Sequence, residues 1–140
     1  MRKIAFICHG NICRSVMAEF ILRDYIEKNN ITDIFVSSFA VSSEEIGNTI
    51  YYAARDTLIN HNIKLYEHKA QQFCSRDYLY FDEIYYMDNS NYNRLLKICP
   101  DNGNKYHPLL MRPVSDPWYT RDFETCFLDL EEGIKKIIGK

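Results

Sequence analysis

An apolar run, Ile4-Ala5-Phe6-Ile7, stops at Cys8, and beyond a short turn Met17, Phe20, Ile21 and Tyr25 recur at helical spacing. An unbroken apolar run suits a strand buried on both faces. A strand, a tight turn and an amphipathic helix at the head of the chain predict a parallel sheet with crossover helices rather than a bundle or a sandwich. The rest of the chain repeats the alternation. Ile34-Phe35-Val36, closed by Ser37-Ser38, and Glu83 to Met87 read as further strands. Lys105 to Leu110 is a weaker fourth, because Pro108 cannot donate to a ladder and belongs at an edge or a strand end. Between them, Ile50, Ala53, Ala54, Thr57 and Leu58 mark a second helix. Asp88-Asn89-Ser90 caps a third through Tyr92, Leu95, Leu96 and Cys99, which Pro100 stops. Phe123, Phe127, Leu130, Ile134, Ile137 and Ile138 line the last. The class is α/β, and the longest irregular connector, Leu110 to Arg121, is where function is expected among the loops.

Ligands of open α/β sheets bind where strands end and helices begin. In this chain that place is Cys8-His9-Gly10-Asn11-Ile12-Cys13-Arg14-Ser15. Cys8 and Arg14 stand six positions apart, so the loop between them can curl until successive backbone N–H groups converge on one oxyanion, with the helix N-terminus adding its positive end. Arg14 offers a planar fork to two phosphate oxygens, and Cys8 lies beneath the phosphorus as nucleophile. Positive surroundings favour the thiolate, which is the reactive form. Gly10 removes a Cβ where the loop tightens, Asn11 tolerates a left-handed backbone, and the Ser15 hydroxyl stabilises the thiolate at the helix start.

Charge and cysteine content narrow the setting. Seventeen basic against nineteen acidic residues leave a net charge of −2, so no broad basic face invites nucleic acid, and no apolar stretch is long enough for a membrane span or a signal-peptide core. Five cysteines, an odd number, fit reduced thiols in a cytoplasm better than a disulfide framework. Cys8 and Cys13 with His9 make a poor zinc pattern, so neither a metal nor another cofactor is expected. Cys74, Cys99 and Cys126 read as core or half-buried thiols.

The segment from Cys8 to Ser15 resembles the phosphate-binding loop of the low-molecular-weight protein tyrosine phosphatases, and order and spacing agree along nearly the whole chain. The resemblance implies one three-layer domain over residues 1–140, with a four-stranded parallel sheet, helices on both faces and the phosphate loop after the first strand. It implies that Cys8 forms a phosphocysteine, that Arg14 binds phosphate with the loop residues His9 to Ser15, and that Asn11, Ser15, Ser38 and His68 hold the loop in shape. Asp116-Pro117-Trp118-Tyr119 is similar to the family's Asp-Pro-Tyr-Tyr segment, which makes Asp116 the acid that protonates the leaving phenolate. From the residues alone, Asp116 reads equally as a turn aspartate capping nearby N–H groups. Trp118 and Tyr119 would wall the cleft for a phenyl ring. The implied partner is a protein bearing phosphotyrosine, and the implied protein is a monomer or weak dimer. In the resembled family a cysteine at the Cys13 position can form a disulfide with the nucleophile and guard it from irreversible oxidation.

Several positions depart from the family pattern. Val16 replaces a proline, His9 an apolar residue, Phe39 a small one and Gln71 an arginine, while Glu44 stands where an aromatic wall is frequent. None touches Cys8, Arg14 or Asp116, so the departures bear on substrate preference, and Glu44 is expected to disfavour acidic peptides. Two rival readings are an arsenate reductase, which needs two further thiols as a relay, and a phosphotyrosine-binding or redox-switch protein without turnover.

Overall fold

The computed structural model describes residues 1–139. Four parallel strands, β1 (Arg2–Cys8), β2 (Ile34–Ala40), β3 (Glu83–Tyr86) and β4 (Tyr106–Pro108), lie side by side in the order β2-β1-β3-β4. Period-two alternation splits the central strand between two cores. Ile4, Phe6 and Cys8 join one cluster, with residues of α1 (Arg14–Lys28), α2 (Tyr52–Asn60) and α6 (Phe123–Ile138). Ala5 and Ile7 join the other, with Tyr78 of α3 (Ser75–Tyr80) and Leu95 of α4 (Asn89–Ile98). Each fully buried aromatic or aliphatic side chain, such as Phe6, Phe20 or Phe127, contributes about 1.5–3 kcal/mol by leaving water. Gly133 lets α6 settle against the end of the sheet, because a Cβ there would stand 2.5 Å from Leu109 Cγ.

The strands differ in length from the sequence expectation. The second does not close at Ser37-Ser38 but continues to Ala40, since Ser38 is buried and hydrogen-bonded and behaves as a core residue. The weak fourth is an edge strand of three residues ending at Pro108. The third helix stops one residue early, with Cys99 in extended C-cap geometry, and Ile50 precedes the second helix. Two short helices go beyond the sequence expectation. In α3 a cysteine, Cys74, occupies the N-cap, and Asp77 closes the turn by accepting the Cys74 N–H at 2.9 Å. The other, α5 (Pro117–Thr120), is a single turn within the connector.

The chain passes from β1 to β2 on one side and then returns to lay β3 on the other side of β1. The crevice beyond the carboxyl ends of β1 and β3 is therefore the topological switch point, where an α/β sheet holds its ligand.

Candidate active site

A cleft of about 420 Å³ opens at that switch point, floored by Cys8, Ile12, Cys13 and Arg14 and walled by His9, Gly10, Glu44, Glu45, Asp116, Trp118 and Tyr119. The loop that floors it is folded by its own buried polar groups. Asn11 has φ of 63°, the left-handed region that asparagine tolerates. Its Oδ1 accepts the Gln71 N–H at 3.1 Å, which fixes which end of the amide donates. Both donor hydrogens are then spent inside the protein, on Ser15 Oγ at 2.8 Å and Ser38 Oγ at 2.9 Å. Each hydroxyl, already an acceptor from Asn11, must send its single proton elsewhere. Ser38 donates to Glu19 Oε1 at 2.6 Å, and Ser15 has its proton available for Cys8 Sγ at 3.0 Å. The Asn11 N–H also points at that sulfur, at 3.3 Å, and His68 Nε2 donates to the Asn11 carbonyl at 2.7 Å.

The side chains of Asn11 and Ser15, expected to hold the loop in shape while its backbone N–H groups meet phosphate, do not line the cleft. They are fully buried behind it, because the network consumes them. Gly10 serves the loop differently from a left-handed turn: a Cβ there would crowd Glu45 Cγ at 3.2 Å. At the start of α1 the N-cap is Cys13, which gives no side-chain hydrogen bond, and the first turn holds no acidic residue. The first turn of α1, buried at Arg14, Ser15 and Val16, thus carries neither a side-chain cap nor an acidic residue of its own.

Arg14 is buried, and its fork is aimed by groups from three elements. Nη1 lies 2.9 Å from Asp88 Oδ2 and donates to the Val114 carbonyl at 3.2 Å, while Nη2 lies 3.3 Å from Asp116 Oδ2. Burial opposes the charge, but Cys8, Asp116 and Asp88 outweigh it and hold the guanidinium more firmly protonated than usual. Sequence reading took Asp88 for a helix cap only. It is one, accepting the Asn91 N–H on Oδ1 at 2.9 Å, and its second oxygen orients Arg14. Glu19, a charged residue on an otherwise apolar helix face, was missed altogether; its interruption of the apolar pattern was the available signal.

Asp116 uses its two oxygens separately. Oδ1 accepts the Trp118 N–H at 3.1 Å, as a turn aspartate does, and Oδ2 reaches the phosphate-loop arginine. Trp118 is half exposed and rests edge-on against Tyr51 at 5.2 Å, while Tyr119 is 82% exposed and so cannot be a packing residue. Tyr51 is tied to the loop through its N–H to the Ile12 carbonyl at 2.9 Å.

The departures from the family pattern fall around this frame. Gln71 supports Asn11 through its backbone and the Ser38 carbonyl through Nε2 at 3.1 Å. Phe39 packs edge-on against Phe73 and Phe81 on the far side of the sheet. His9 and Glu44 meet at the rim, 3.1 Å apart. All five cysteines are free. Cys13, buried and close to Cys8 and Asp116, has its thiol pushed up to about 12, so the neutral form prevails.

Comparison with known proteins finds matches along nearly the whole chain. The family model for low molecular weight phosphotyrosine protein phosphatase matches residues 3–140. "Low molecular weight phosphotyrosine protein phosphatase 1" of Drosophila melanogaster is 35% identical over 139 residues, covering 91% of this chain and 88% of the relative. The human protein of the same description is 34% identical over 138 residues, covering 90% and 87%. The crystal structure of the low molecular weight protein tyrosine phosphatase of Streptococcus pyogenes superposes with a TM-score of 0.92 at 31% identity, covering 99% of this chain and 92% of that one.

Proposed function

Because the chain belongs to the low molecular weight phosphotyrosine protein phosphatase family, we propose that its cleft hydrolyses phosphotyrosine through a phosphocysteine on Cys8. One observation carries the reading of the residues: Cys8 Sγ receives the Asn11 N–H and faces the Ser15 hydroxyl on the floor of a cleft whose buried guanidinium is already aimed. The thiolate attacks phosphorus as the bond from phosphorus to the aryl oxygen breaks, and the Asp116 proton goes to the departing phenolate oxygen. In the second step Asp116 takes a proton from water, whose oxygen displaces sulfur and releases inorganic phosphate. A phosphate dianion competes for the Arg14 fork that Asp116 shares, so binding frees the carboxyl for proton transfer. Loop N–H groups from His9 to Ser15 meet the equatorial oxygens, with Asn11, Ser15, Ser38 and His68 holding the loop, and Trp118 and Tyr119 flank the ring.

The substrate is a phosphotyrosine-bearing protein, and the whole of residues 1–140 forms one catalytic domain working as a monomer or weak dimer. No described helix is long and apolar enough to cross a membrane, and five free thiols fit a reducing cytoplasm.

The test is a burst-phase assay on p-nitrophenyl phosphate with arsenate reduction measured alongside. The wild type is expected to show a burst that persists in chelator and is blocked by vanadate. Cys8→Ser is expected to abolish turnover while keeping the fold by circular dichroism. Arsenate reduction without phosphate release would establish the reductase instead, and vanadate binding without any turnover would establish a binding protein.

A further inference from the structure

The two ends of the phosphate loop face opposite charges. At the His9–Gly10 end stand Glu44 and Glu45, both lining the cleft. At the Ile12–Cys13 end stands Tyr51, and on its hydroxyl sits Arg121, whose Nη2 donates to it at 2.7 Å. The Arg121 charge is near enough to act on the Cys13 thiol, opposing the upward push of burial. Arg121 is exposed and, like Arg76 and Arg94, has no carboxylate partner among the described residues, whereas Arg2, Arg14, Arg23, Arg55 and Arg112 each have at least one; of the three, Arg121 is the one that reaches a residue tied to the phosphate loop.

This cation is nonetheless held in place. Its guanidinium carbon lies 5.4, 5.8 and 5.9 Å from the ring centres of Tyr51, Trp118 and Phe123. Its backbone adopts φ of 61°, unusual for a residue with a side chain, and is pinned by its N–H to the Pro117 carbonyl at 2.9 Å. Strain of that kind persists where surrounding structure fixes it, and it aims the side chain toward the aromatic wall of the cleft. A planar fork with five donors, one of them spent, is thus preorganised beside the site without an internal anion.

Resting on the phosphatase reading, we propose that Arg121 is a specificity-determining residue that binds a carboxylate flanking the phosphotyrosine, so that a peptide lies with its acidic side toward Arg121 and away from Glu44 and Glu45. An exposed pair of this kind is worth up to about fivefold in kcat/KM and weakens with salt.

The experiment walks a single Glu through three positions on either side of phosphotyrosine in an otherwise alanine peptide and measures kcat/KM relative to the all-alanine parent. The ratio cancels losses common to both peptides. Wild type should favour Glu on one side only, by about fivefold in low salt. Arg121→Met, which keeps the aromatic contact and drops the charge, should bring the ratio to about one; Arg121→Lys should restore part of it, and Arg121→Glu should favour Lys at the same position. A preference that survives in Arg121→Met, or no positional preference in wild type, overturns the proposal. Absence of p-nitrophenyl phosphate turnover by wild type would instead overturn the phosphatase reading on which it rests.

Discussion

The floor of the cleft and its rim are built on opposite principles. Cys8, Asn11, Arg14, Ser15 and Ser38 are all buried, the amide and hydroxyl donors of Asn11, Ser15 and Ser38 each have a partner, and Arg14 is aimed by two carboxylates and a carbonyl. Glu44, Trp118, Tyr119 and Arg121 are exposed and meet one another and the loop through rings and single contacts. Low dielectric makes each floor contact strong and each broken one costly, while water and salt screen the rim. The floor can therefore fix one reaction to high tolerance, and the rim can change partners at small cost to stability. Departures from the family pattern occur on both sides of that division: Glu44 and His9 lie at the rim and Phe39 packs on the far face of the sheet, while Val16 is buried at the start of α1 and Gln71 supports Asn11 through its backbone N–H.

That contrast predicts that floor variants harm all substrates alike and rim variants harm them selectively. Arg14→Lys keeps the charge but not the fork shared by Asp88 and Asp116, and is expected to lower kcat/KM on the order of 10³-fold on every aryl phosphate, near the upper range for losing a transition-state donor. A loss that varied with the leaving group would break the comparison. Asp116 stands between floor and rim. Asp116→Asn keeps the Trp118 cap and is expected to slow phosphotyrosine by about 10²-fold, and p-nitrophenyl phosphate less, because a good leaving group needs less protonation. Equal losses across a leaving-group series would count against the acid role. Glu44→Ala, a pure rim change, is expected to raise kcat/KM for acidic phosphopeptides by about two- to fivefold in low salt and to leave the basic-to-neutral ordering of the rest weaker. Equal effects on acidic and basic peptides would remove Glu44 from selection.

The floor was largely legible in the sequence because its signals are local. Cys8 ends a strand, Arg14 starts a helix, and Gly10 and Asn11 lie within the turn that joins them. Alternation of strands and helices likewise carried the sheet, down to the edge position of Pro108. What stayed hidden depends on contacts across the chain. Asp88 reaches Arg14 only because β3 lies beside β1, and no periodicity records that neighbourhood. Glu19, on α1, accepts from a hydroxyl nineteen residues away on β2. Arg121 and Tyr51 are seventy positions apart and meet through a single hydrogen bond. The short helix at Ser75 was invisible because a cysteine holds the place where a hydroxyl or carboxylate is the usual cap.

Asp88 carries one more consequence. Its carboxyl closes the first turn of α4 with one oxygen and steers the guanidinium with the other. Asparagine caps a helix as well as aspartate but brings no charge, and glutamate brings the charge on a longer stem that caps less well. Neutral drift at position 88 is therefore closed in both directions. One carboxylate thus couples the start of α4 to the aim of the phosphate-loop arginine.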